Sequence, residues 1–378
     1  MKTSKEFFGL NSIKKLEEIL KYENPRKIFL VTGKQSYKLS GAQKKIKKLL
    51  LVYPYIHFSD FSQNPKIEDI KKGIQIYKKE ECDLVIAIGG GSVIDTAKLI
   101  NILAQQSEDP EKYIFGEKII KKGKILVAIP TTSGSGSEVT HFAVIYIDKQ
   151  KYSLAHQKFI LPDYVILDAS LTFSAPPYLT ASTGMDALGQ AIESFWAINS
   201  TNESKEYAKE AIKIILNNIE KVVNNPSKES RDSMIKASNL AGKAINISKT
   251  TASHALSYPL TSHFKIPHGH AVALTLGPML RYNFEVSNID LQDKRGLNYV
   301  KETFEKLIQT FGANNIQECT KMIYNIMNQI GLKIKLRDLN IKKDDIEIII
   351  KDFNPERAKN NPRKLDTVNL KKMLLQIY

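Results

Sequence analysis

Short, unbroken apolar runs alternate with segments of helical periodicity in the first half of the chain. The runs that predict buried strands are 27–32, 55–58, 83–91, 124–130, 139–148 and 164–168. Helical spacing predicts helices over 38–50, 67–81 and 92–104. Strands that alternate with helices are typical of a mostly parallel sheet, so we expect an α/β nucleotide-binding domain over residues 1–170.

The pattern changes at the two prolines Pro176 and Pro177. Beyond them the strand pattern is almost lost, and apolar residues recur at intervals of three and four. The clearest helical segments are 186–198, 204–223, 231–247 and 271–286. We therefore expect an all-α domain over residues 171–378, with a core of its own.

Lysine gives the 378-residue chain a formal net charge of +15. Such a balance occurs in proteins that bind nucleic acid or anionic membranes, but here the lysines alternate with glutamates, as they do on solvated helix faces. We therefore expect no nucleic-acid partner. A generally positive field would instead help to attract an anionic substrate.

Neither the apolar segments nor the cysteines indicate export or a membrane anchor. The sequence has no run of about 18 apolar residues, so no membrane span is predicted. Residues 1–20 lack the apolar block of a signal peptide. The two cysteines, Cys82 and Cys319, lie far apart and predict no disulfide framework. We expect a cytoplasmic protein.

Two loops rich in glycine and hydroxyl groups follow predicted strands. The first, Gly89-Gly90-Gly91-Ser92, precedes a predicted helix, whose amino end offers N–H groups to a phosphate. Taken alone, it is also a plain strand-to-helix turn. The second, PTTSGSGSE at 130–138, follows the next strand. Because ligands of open α/β sheets bind at the carboxyl ends of the strands, the two loops together predict a dinucleotide site.

A third loop, at the end of the first predicted strand, bears on the choice of dinucleotide. An acidic residue at this point would bond the adenosine ribose and repel a 2′-phosphate. The chain has Gly33, Lys34 and Ser36 instead. We therefore predict that NADP(H) is accepted and preferred to NAD(H).

A candidate metal site lies in the helical half. Asp186 and Gln190 are four residues apart and share one helix face, and His254 and His268 follow downstream. One carboxylate with two imidazoles is a usual ligand set for Zn²⁺ or Fe²⁺ with an open position. Spacing alone leaves the alternative that the two histidines are surface residues.

Four segments resemble the signatures of the iron-containing alcohol dehydrogenase family. They are GGGSVIDTAK (89–98), PTTSGSGSEVT (130–140), GMDALGQAIES (184–194) and HALSYPLTSHFKIPHGHAVA (254–273). The opening FFGLNSIKKLEEIL and the segment LPDYVILD are also similar, so the resemblance covers nearly the whole chain. It implies a Rossmann-like α/β domain and an all-α domain in the dehydroquinate synthase-like architecture. It also implies a metal-dependent oxidoreductase that uses NAD or NADP and forms a homodimer or larger homo-oligomer.

The resemblance also carries roles to individual residues. The implied cofactor contacts are Gly33, Asn64, Gly89, Gly90, Gly91, Ser92, Asp95, Thr131, Thr132, Ser135, Thr140 and Lys151. The implied ligands of a divalent metal, Fe²⁺ or Zn²⁺, are Asp186, His254 and His268. Two positions depart from the family pattern: Gln190 replaces a usual histidine ligand and is a weaker one, and Tyr258 replaces a histidine near the nicotinamide.

Within the family, segments 186–212 and 241–277 are most similar to the phosphonoacetaldehyde reductases. A phosphonate needs cationic partners, and Lys249 precedes His254, so we predict that Lys249 binds the substrate; its alternative is a solvated lysine at a helix end. Tyr258, His270 or water would protonate the product. The expected reaction is reduction of a small anionic aldehyde, with a general alcohol or diol dehydrogenase and a sugar-phosphate lyase or cyclase as alternatives.

Overall fold

The computed structural model describes residues 3–148 and 150–378. By its contacts the chain divides into two compact units, Met1–Ala175 and Pro176–Tyr378. We call them the α/β unit and the helical unit. The division follows Ala175 rather than residue 170, because Leu171, in a short turn after the last strand, still packs into the core beneath the sheet.

The α/β unit is built on a parallel sheet. Its described strands are β1 (Lys5–Phe8), β2 (Ile28–Thr32), β3 (Tyr55–Phe58), β4 (Leu84–Gly89), β5 (Ile125–Pro130), β6 (Phe142–Ile147), β7 (Gln150–Ala155) and β8 (Tyr164–Leu167). Six of them pair in the order β1-β8-β5-β4-β2-β3, and every pairing is parallel. β6 and β7 form a separate antiparallel hairpin.

Successive residues of the central strands face opposite sides of the sheet, and both sides are covered. Phe29, Val31 and Val85 belong to one buried cluster, while Leu30 and Ile86 belong to another. Burial on both faces explains why these strands are continuous apolar runs rather than alternating ones. β3 lies outside β2, whereas β4 lies on its inner side, so the direction of strand addition reverses between β2 and β4. Such a reversal is where open α/β sheets bind ligands.

Helices connect these strands. They are α1 (Lys15–Glu23), α2 (Ser36–Leu39), α3 (Ala42–Leu50), α4 (Ile67–Lys79), α5 (Gly91–Leu103) and α6 (Pro110–Ile114). The predicted helix over 38–50 is two helices, because Gly41 adopts a φ of 78° and interrupts the helical backbone. The short edge strand β1 was not predicted, and neither was β7, the second strand of the hairpin.

The described part of the second unit is helical apart from an isolated bridge at Leu291. Its helices are α7 (Pro177–Trp196), α8 (Asn202–Asn224), α9 (Lys228–Ser248), α10 (Ala252–Phe264), α11 (His268–Phe284), α12 (Leu297–Phe311), α13 (Ile316–Gln329), α14 (Asp345–Lys351) and α15 (Thr367–Gln376). Almost every residue of α7 from Thr180 onward is buried, which makes it the central helix of the unit. Among the described residues, no helix has both the length and the apolarity needed to cross a membrane.

The segment that contains Gly184 and Asp186 lies inside α7, so the helix predicted over 186–198 begins earlier than its pattern indicated. Pro177 occupies the first helical turn, where its missing N–H costs nothing, and the helix starts there. The neighbouring helices leave little room at Gly184, because a Cβ there would lie 3.1 Å from Ile219 Cδ1. A glycine therefore suits this position inside the helix.

Candidate dinucleotide and metal sites

The two glycine-rich loops of the α/β unit meet at the carboxyl edge of the sheet. They follow β4 and β5, which are neighbours, and the Thr131 N–H donates to the Gly89 carbonyl at 3.0 Å. A Cβ at Gly91 would lie 2.6 Å from Ser135 Oγ. The convergence that we expected from the sequence is therefore present, and it requires glycine at position 91.

The same edge has the donors that a pyrophosphate needs. α5 starts at Gly91, and the first N–H groups of a helix have no partner within it. Thr131 Oγ1 is buried and has no hydrogen-bond partner in the described part of the chain. A Cβ at Gly90 would be in ordinary van der Waals contact with Thr132 Oγ1, at 3.4 Å, so the Gly90 backbone lies beside this hydroxyl group. These features fit a dinucleotide phosphate.

Two of the implied cofactor contacts, Asp95 and Thr140, have other partners in the structure. Asp95 accepts hydrogen bonds from Ser137 Oγ and from the Val144 N–H. Thr140 is buried and accepts a bond from the Lys98 ammonium at 3.1 Å. Burial lowers the pKa of Lys98 to about 8. These side chains join α5 to the second loop and to β6, which favours a positioning role over direct contact with a cofactor.

The loop after β2 has a carboxylate beside it that the sequence did not indicate. Asp60, which follows the edge strand β3, pairs with Lys34 at 2.9 Å and with Lys72 at 2.5 Å. Hydrogen bonds from these two lysines lower the pKa of Asp60 to about 2. The loop itself carries no carboxylate; Asp60 comes from the segment after β3, and two cations offset its single negative charge.

Asn64 and Lys151 lie on either side of β6. The loop that contains Asn64 joins this strand through a bond from the Tyr146 N–H to the Pro65 carbonyl at 2.8 Å. Lys151 in β7 pairs directly with Tyr146. Burial raises the pKa of Asp95, and the charge of Lys151 is one of the effects that oppose this rise. Both residues are therefore close to the region that Asp95 holds together.

In the helical unit, three helices bring Asp186, His254 and His268 together. Asp186 lies in the middle of α7, His254 in the first turn of α10, and His268 is the first residue of α11. Asp186 Oδ1 is 3.3 Å from His254 Nε2 and 3.8 Å from His268 Nε2, and one ligand atom from each residue lies within 4.8 Å of the others. Ligand atoms around an ion with bonds of about 2.1 Å are separated by similar distances.

Hydrogen bonds define which nitrogen of each histidine faces the cluster. Ser257 Oγ donates its single proton to the His254 carbonyl at 2.7 Å, so it must accept from His268 Nδ1 at 3.1 Å. His254 Nδ1 lies 2.5 Å from Glu193 Oε2. In both residues Nδ1 is therefore occupied, and Nε2 is turned toward Asp186.

Glu193 is a fully buried carboxylate that the sequence analysis missed. Besides His254 Nδ1, it accepts the N–H groups of Thr251 at 3.0 Å and of Ser253 at 2.6 Å. Burial disfavours the imidazolium of His254, but Glu193 and Asp186 outweigh it and raise the pKa of His254 to about 10. Two carboxylates that stabilise a positive charge at this point suit a metal cation, and His254 Nε2 has no hydrogen-bond partner in the described ranges.

Two glycines allow the three helices to approach so closely. A Cβ at Gly269 would lie 1.9 Å from the Ser182 carbonyl oxygen and 2.8 Å from Asp186 Cβ. A Cβ at Gly189 would lie 2.6 Å from Val272 Cγ1. These glycines let α11 lie directly on α7, which brings His268 to Asp186. The donor set, the distances and the buried Nε2 atom together fit a divalent metal.

Comparison with known proteins identifies the family. A model described as iron-containing alcohol dehydrogenase matches residues 3–169, and the model of the C-terminal part of that family matches residues 180–378. The chain belongs to the iron-containing alcohol dehydrogenase family. Members of this family bind NAD(P) and a divalent metal, so the two kinds of cofactor expected from the sequence are confirmed at that level.

Curated relatives in the family act on different alcohols. The chain is 31% identical over 388 residues to the 1,3-propanediol dehydrogenase of Citrobacter freundii, covering 98% of this chain and 96% of that protein. It is 29% identical to the NADPH-dependent butanol dehydrogenase of Clostridium saccharobutylicum, with the same two coverages. It spans less than half, 44%, of the aldehyde-alcohol dehydrogenase of Streptococcus pneumoniae serotype 2, at 28% identity.

Solved structures of the family share the fold over the full chain. The sulfoacetaldehyde reductase of Bifidobacterium kashiwanohense, solved in complex with NAD⁺, has a TM-score of 0.88 and 29% identity, covering 100% of this chain and 97% of that one. The alcohol dehydrogenase of Oenococcus oeni has a TM-score of 0.90 and 27% identity, with 100% and 98% covered. The predicted fold class, an α/β domain followed by a helical domain, is confirmed.

Against the family pattern, Gln190 and Tyr258 are the departures that lie nearest the metal ligands. Gln190 is buried one helical turn after Asp186 and shares its face of α7. Tyr258 lies one turn after His254 in α10, and its ring is parallel to that of His268, with 6.0 Å between centroids and 4° between planes. Whether the Gln190 amide binds the metal remains a prediction.

The structure does not support His270 as a proton carrier. Its Nδ1 is 3.0 Å from the Tyr178 hydroxyl, and its Nε2 is 2.8 Å from the Lys333 carbonyl. Only a protonated Nε2 can bond a carbonyl, so Nδ1 accepts from Tyr178. Both nitrogens are thus used within the helical unit, and burial lowers the pKa of His270. A structural role explains these contacts better.

Lys249, the predicted substrate residue, follows the end of α9. Its side chain is exposed, and its backbone has a φ of 62° that reverses the chain toward α10. Both features fit the alternative of a solvated lysine at a helix end. The neighbouring Thr251 and Ser253 are buried and donate their N–H groups to Glu193, so they support the metal ligands.

Proposed function

We propose that this protein reduces a small anionic aldehyde to a primary alcohol, and that the aldehyde is phosphonoacetaldehyde, which gives 2-hydroxyethylphosphonate. One aldehyde, one NAD(P)H and one proton are converted into the alcohol and NAD(P)⁺. The observation that carries the proposal is the convergence of Asp186 with the Nε2 atoms of His254 and His268. These three side chains would hold the divalent metal that the proposed reaction uses.

Each unit contributes one part of the machinery. In the α/β unit, Thr131, Ser135 and the first N–H groups of α5 would bind the dinucleotide phosphates. In the helical unit, Asp186, His254 and His268 would hold the divalent metal, and Gln190 would offer a weak further ligand. When bound, the nicotinamide supplies a hydride and the metal polarises the aldehyde oxygen.

Tyr258 is the side chain best suited to provide the proton. Its hydroxyl oxygen accepts a bond from Arg357 Nη1 at 3.2 Å, and a guanidinium has no acceptor, so that bond does not use the tyrosine proton. The ring lies beside His268. The bond from Arg357 therefore orients the hydroxyl without using its proton.

Two observations support an anionic substrate. The net charge of +15 gives the whole molecule a positive field, which raises the rate at which anions arrive. A solved relative with 29% identity is a sulfoacetaldehyde reductase, whose substrate has a sulfonate where phosphonoacetaldehyde has a phosphonate. The dinucleotide preference that we propose is for NADP(H), because Gly33 places no carboxylate on the loop after β2 itself.

An NAD(P)H oxidation assay over a panel of aldehydes tests the proposal. The panel contains phosphonoacetaldehyde, sulfoacetaldehyde, propanal, butanal and 3-hydroxypropanal, each with NADPH and with NADH. We expect the highest kcat/KM for phosphonoacetaldehyde. Equal or higher values for 3-hydroxypropanal would instead support the general diol dehydrogenase, which the relative from Citrobacter freundii favours. Turnover without net oxidation of NAD(P)H would support the lyase or cyclase.

A further inference from the structure

A cationic side chain that the metal and dinucleotide sites do not use lies one ring away from His268. Arg357 is in a short 3-10 turn, Pro355–Ala358. Its guanidinium carbon is 4.7 Å from the centroid of the Tyr258 ring, and Nη1 donates to the Tyr258 hydroxyl. The Tyr258 ring is parallel to the His268 ring. The Arg357 guanidinium therefore lies against an aromatic ring that itself lies beside a proposed metal ligand.

We propose that Arg357 selects substrates with an anionic head group. This inference rests on the proposed aldehyde reduction and assigns one residue the recognition of the phosphonate or sulfonate. In such a substrate the charged group is two bonds from the aldehyde carbon. When the aldehyde oxygen lies at the metal, the charged group is therefore only a short distance from the metal. Arg357 is the cation that we place opposite this charge, because the Tyr258 ring connects it to His268.

The turn that contains Arg357 is firmly attached to the rest of the helical unit. Asn360 Nδ2 donates to the Ser248 carbonyl at 2.7 Å and to the Thr250 carbonyl at 3.0 Å, and its own carbonyl accepts the Ile198 N–H. Asn354 Oδ1 accepts the Glu356 N–H at 3.0 Å and caps the turn. A cation on a fixed backbone loses little freedom on binding an anion.

Arginine suits this task better than the neighbouring lysines. Its planar guanidinium stacks on aromatic rings and binds a phosphonate or sulfonate with two parallel hydrogen bonds, and it stays charged at every physiological pH. Arg357 is half-buried and held by Tyr258, whereas Lys249 is exposed. The acidic neighbour in the same turn, Glu356, is paired with Lys359 at 2.6 Å, which reduces its effect on the local charge.

The test compares Arg357→Met and Arg357→Lys with the wild-type enzyme. For each we would measure kcat/KM with phosphonoacetaldehyde and with propanal, the Ki of ethylphosphonate, and the metal content. We expect Arg357→Met to lower kcat/KM for phosphonoacetaldehyde by about 10- to 100-fold, the effect of losing hydrogen bonds to a charged group. The Ki of ethylphosphonate should rise in parallel, and the metal content should stay near the wild-type value. The value of kcat/KM for propanal should fall much less than that for phosphonoacetaldehyde, because propanal loses only the support that Arg357 gives to the Tyr258 hydroxyl. Arg357→Lys should give intermediate values.

Lys359→Met is the matched control, because Lys359 is an exposed cation two residues further along that touches neither Tyr258 nor His268 in any described contact. This substitution should leave kcat/KM unchanged for both aldehydes. Equal losses with both aldehydes would overturn the proposal and show that Arg357 only supports Tyr258, and no loss with either would overturn it as well. Failure of the proposed function is distinguishable, because the wild-type enzyme itself would then show no preference for the anionic aldehyde. In that case the proposed role of Arg357 is overturned together with the proposed function.

Discussion

At the scale of single residues, the cluster of Asp186, His254 and His268 could be anticipated from the sequence, but the side chains that support it could not. Asp186, His254 and His268 are the residue types that bind metals, and they lie in recognisable motifs. Glu193 was missed, although its spacing contained a signal: positions 186, 190 and 193 share one face of a helix. Arg357 gave no such signal, since only the fold brings it to Tyr258, which is far away in the sequence.

The buried carboxylate of Glu193 should control the metal affinity. Glu193→Gln keeps the shape, but it removes the charge that holds His254 Nδ1 and offers an amide to backbone N–H groups that need an acceptor. We expect metal binding to weaken by about 10- to 100-fold, as is usual when the partner of a metal-binding histidine is lost. A competitive metal titration measures this.

Glu220→Gln, on the exposed face of α8, is the control for this substitution and should leave the metal affinity unchanged. Rescue of the metal affinity by Glu193→Asp would support the charge as the cause. If Glu193→Gln binds metal as tightly as the wild type, the carboxylate has no positioning role.

The dinucleotide preference depends on the absence of a carboxylate at position 33. Gly33→Asp would introduce one where the 2′-phosphate of NADP is expected, and Ser36 Oγ, 2.3 Å from the position of the new Cβ, would have to rotate away. We expect kcat/KM with NADPH to fall by more than about tenfold and that with NADH to be maintained or to rise.

Gly33→Asn has nearly the same shape without the charge, so it separates repulsion from crowding. It should retain most of the activity with NADPH. If the wild-type enzyme itself prefers NADH more than tenfold, the premise is wrong, and the Asp60 carboxylate beside Lys34 is the first residue to examine.

At the scale of elements, the existence of strands and helices was predictable and several boundaries were not. Apolar runs identified β2, β4 and β5 because both faces of a central strand are buried, and a shorter run identified β3 at the edge of the sheet. β1 was missed because it is a short edge strand whose pattern shows no such run. The helix predicted from residue 186 in fact starts at Pro177 and includes Gly184, where the packing of α8 and α9 against α7 makes a small residue favourable.

Contact between α7 and α11 sets the geometry of the metal site. Gly269→Ala would place a Cβ 1.9 Å from the Ser182 carbonyl oxygen, and because that atom is backbone, the helices must separate. We expect a loss of about 1–3 kcal/mol in the free energy of unfolding, the usual cost of overpacking, and a lower metal content. Urea unfolding and metal analysis measure the two effects.

Gly277→Ala, in the same helix, is the control. A Cβ there would lie no nearer than 3.3 Å to the Tyr324 side chain, so a small shift accommodates it. It should keep the full metal content. Equal metal contents in the two variants would mean that the approach of α11 to α7 does not determine metal binding.

At the scale of the whole molecule, the chemistry is divided between two units, each with its own core. The described metal ligands all belong to the helical unit, and the glycine-rich loops belong to the α/β unit. The pattern of apolar residues could predict this division, because strand-like apolar runs give way to helical periodicity at Pro176. Neither the pattern nor the composition could reveal the substrate, since relatives with similar identity are named for different ones.

Metal analysis of the wild-type protein and of Asp186→Asn, together with NADPH binding and aldehyde reduction by the same samples, tests the central claim most directly. We predict close to one divalent ion per wild-type chain. For Asp186→Asn we predict loss of that ion and of turnover, while the Kd for NADPH is unchanged because its site is in the other unit. Full metal content in the variant, or undiminished reduction by metal-free protein, would contradict the account.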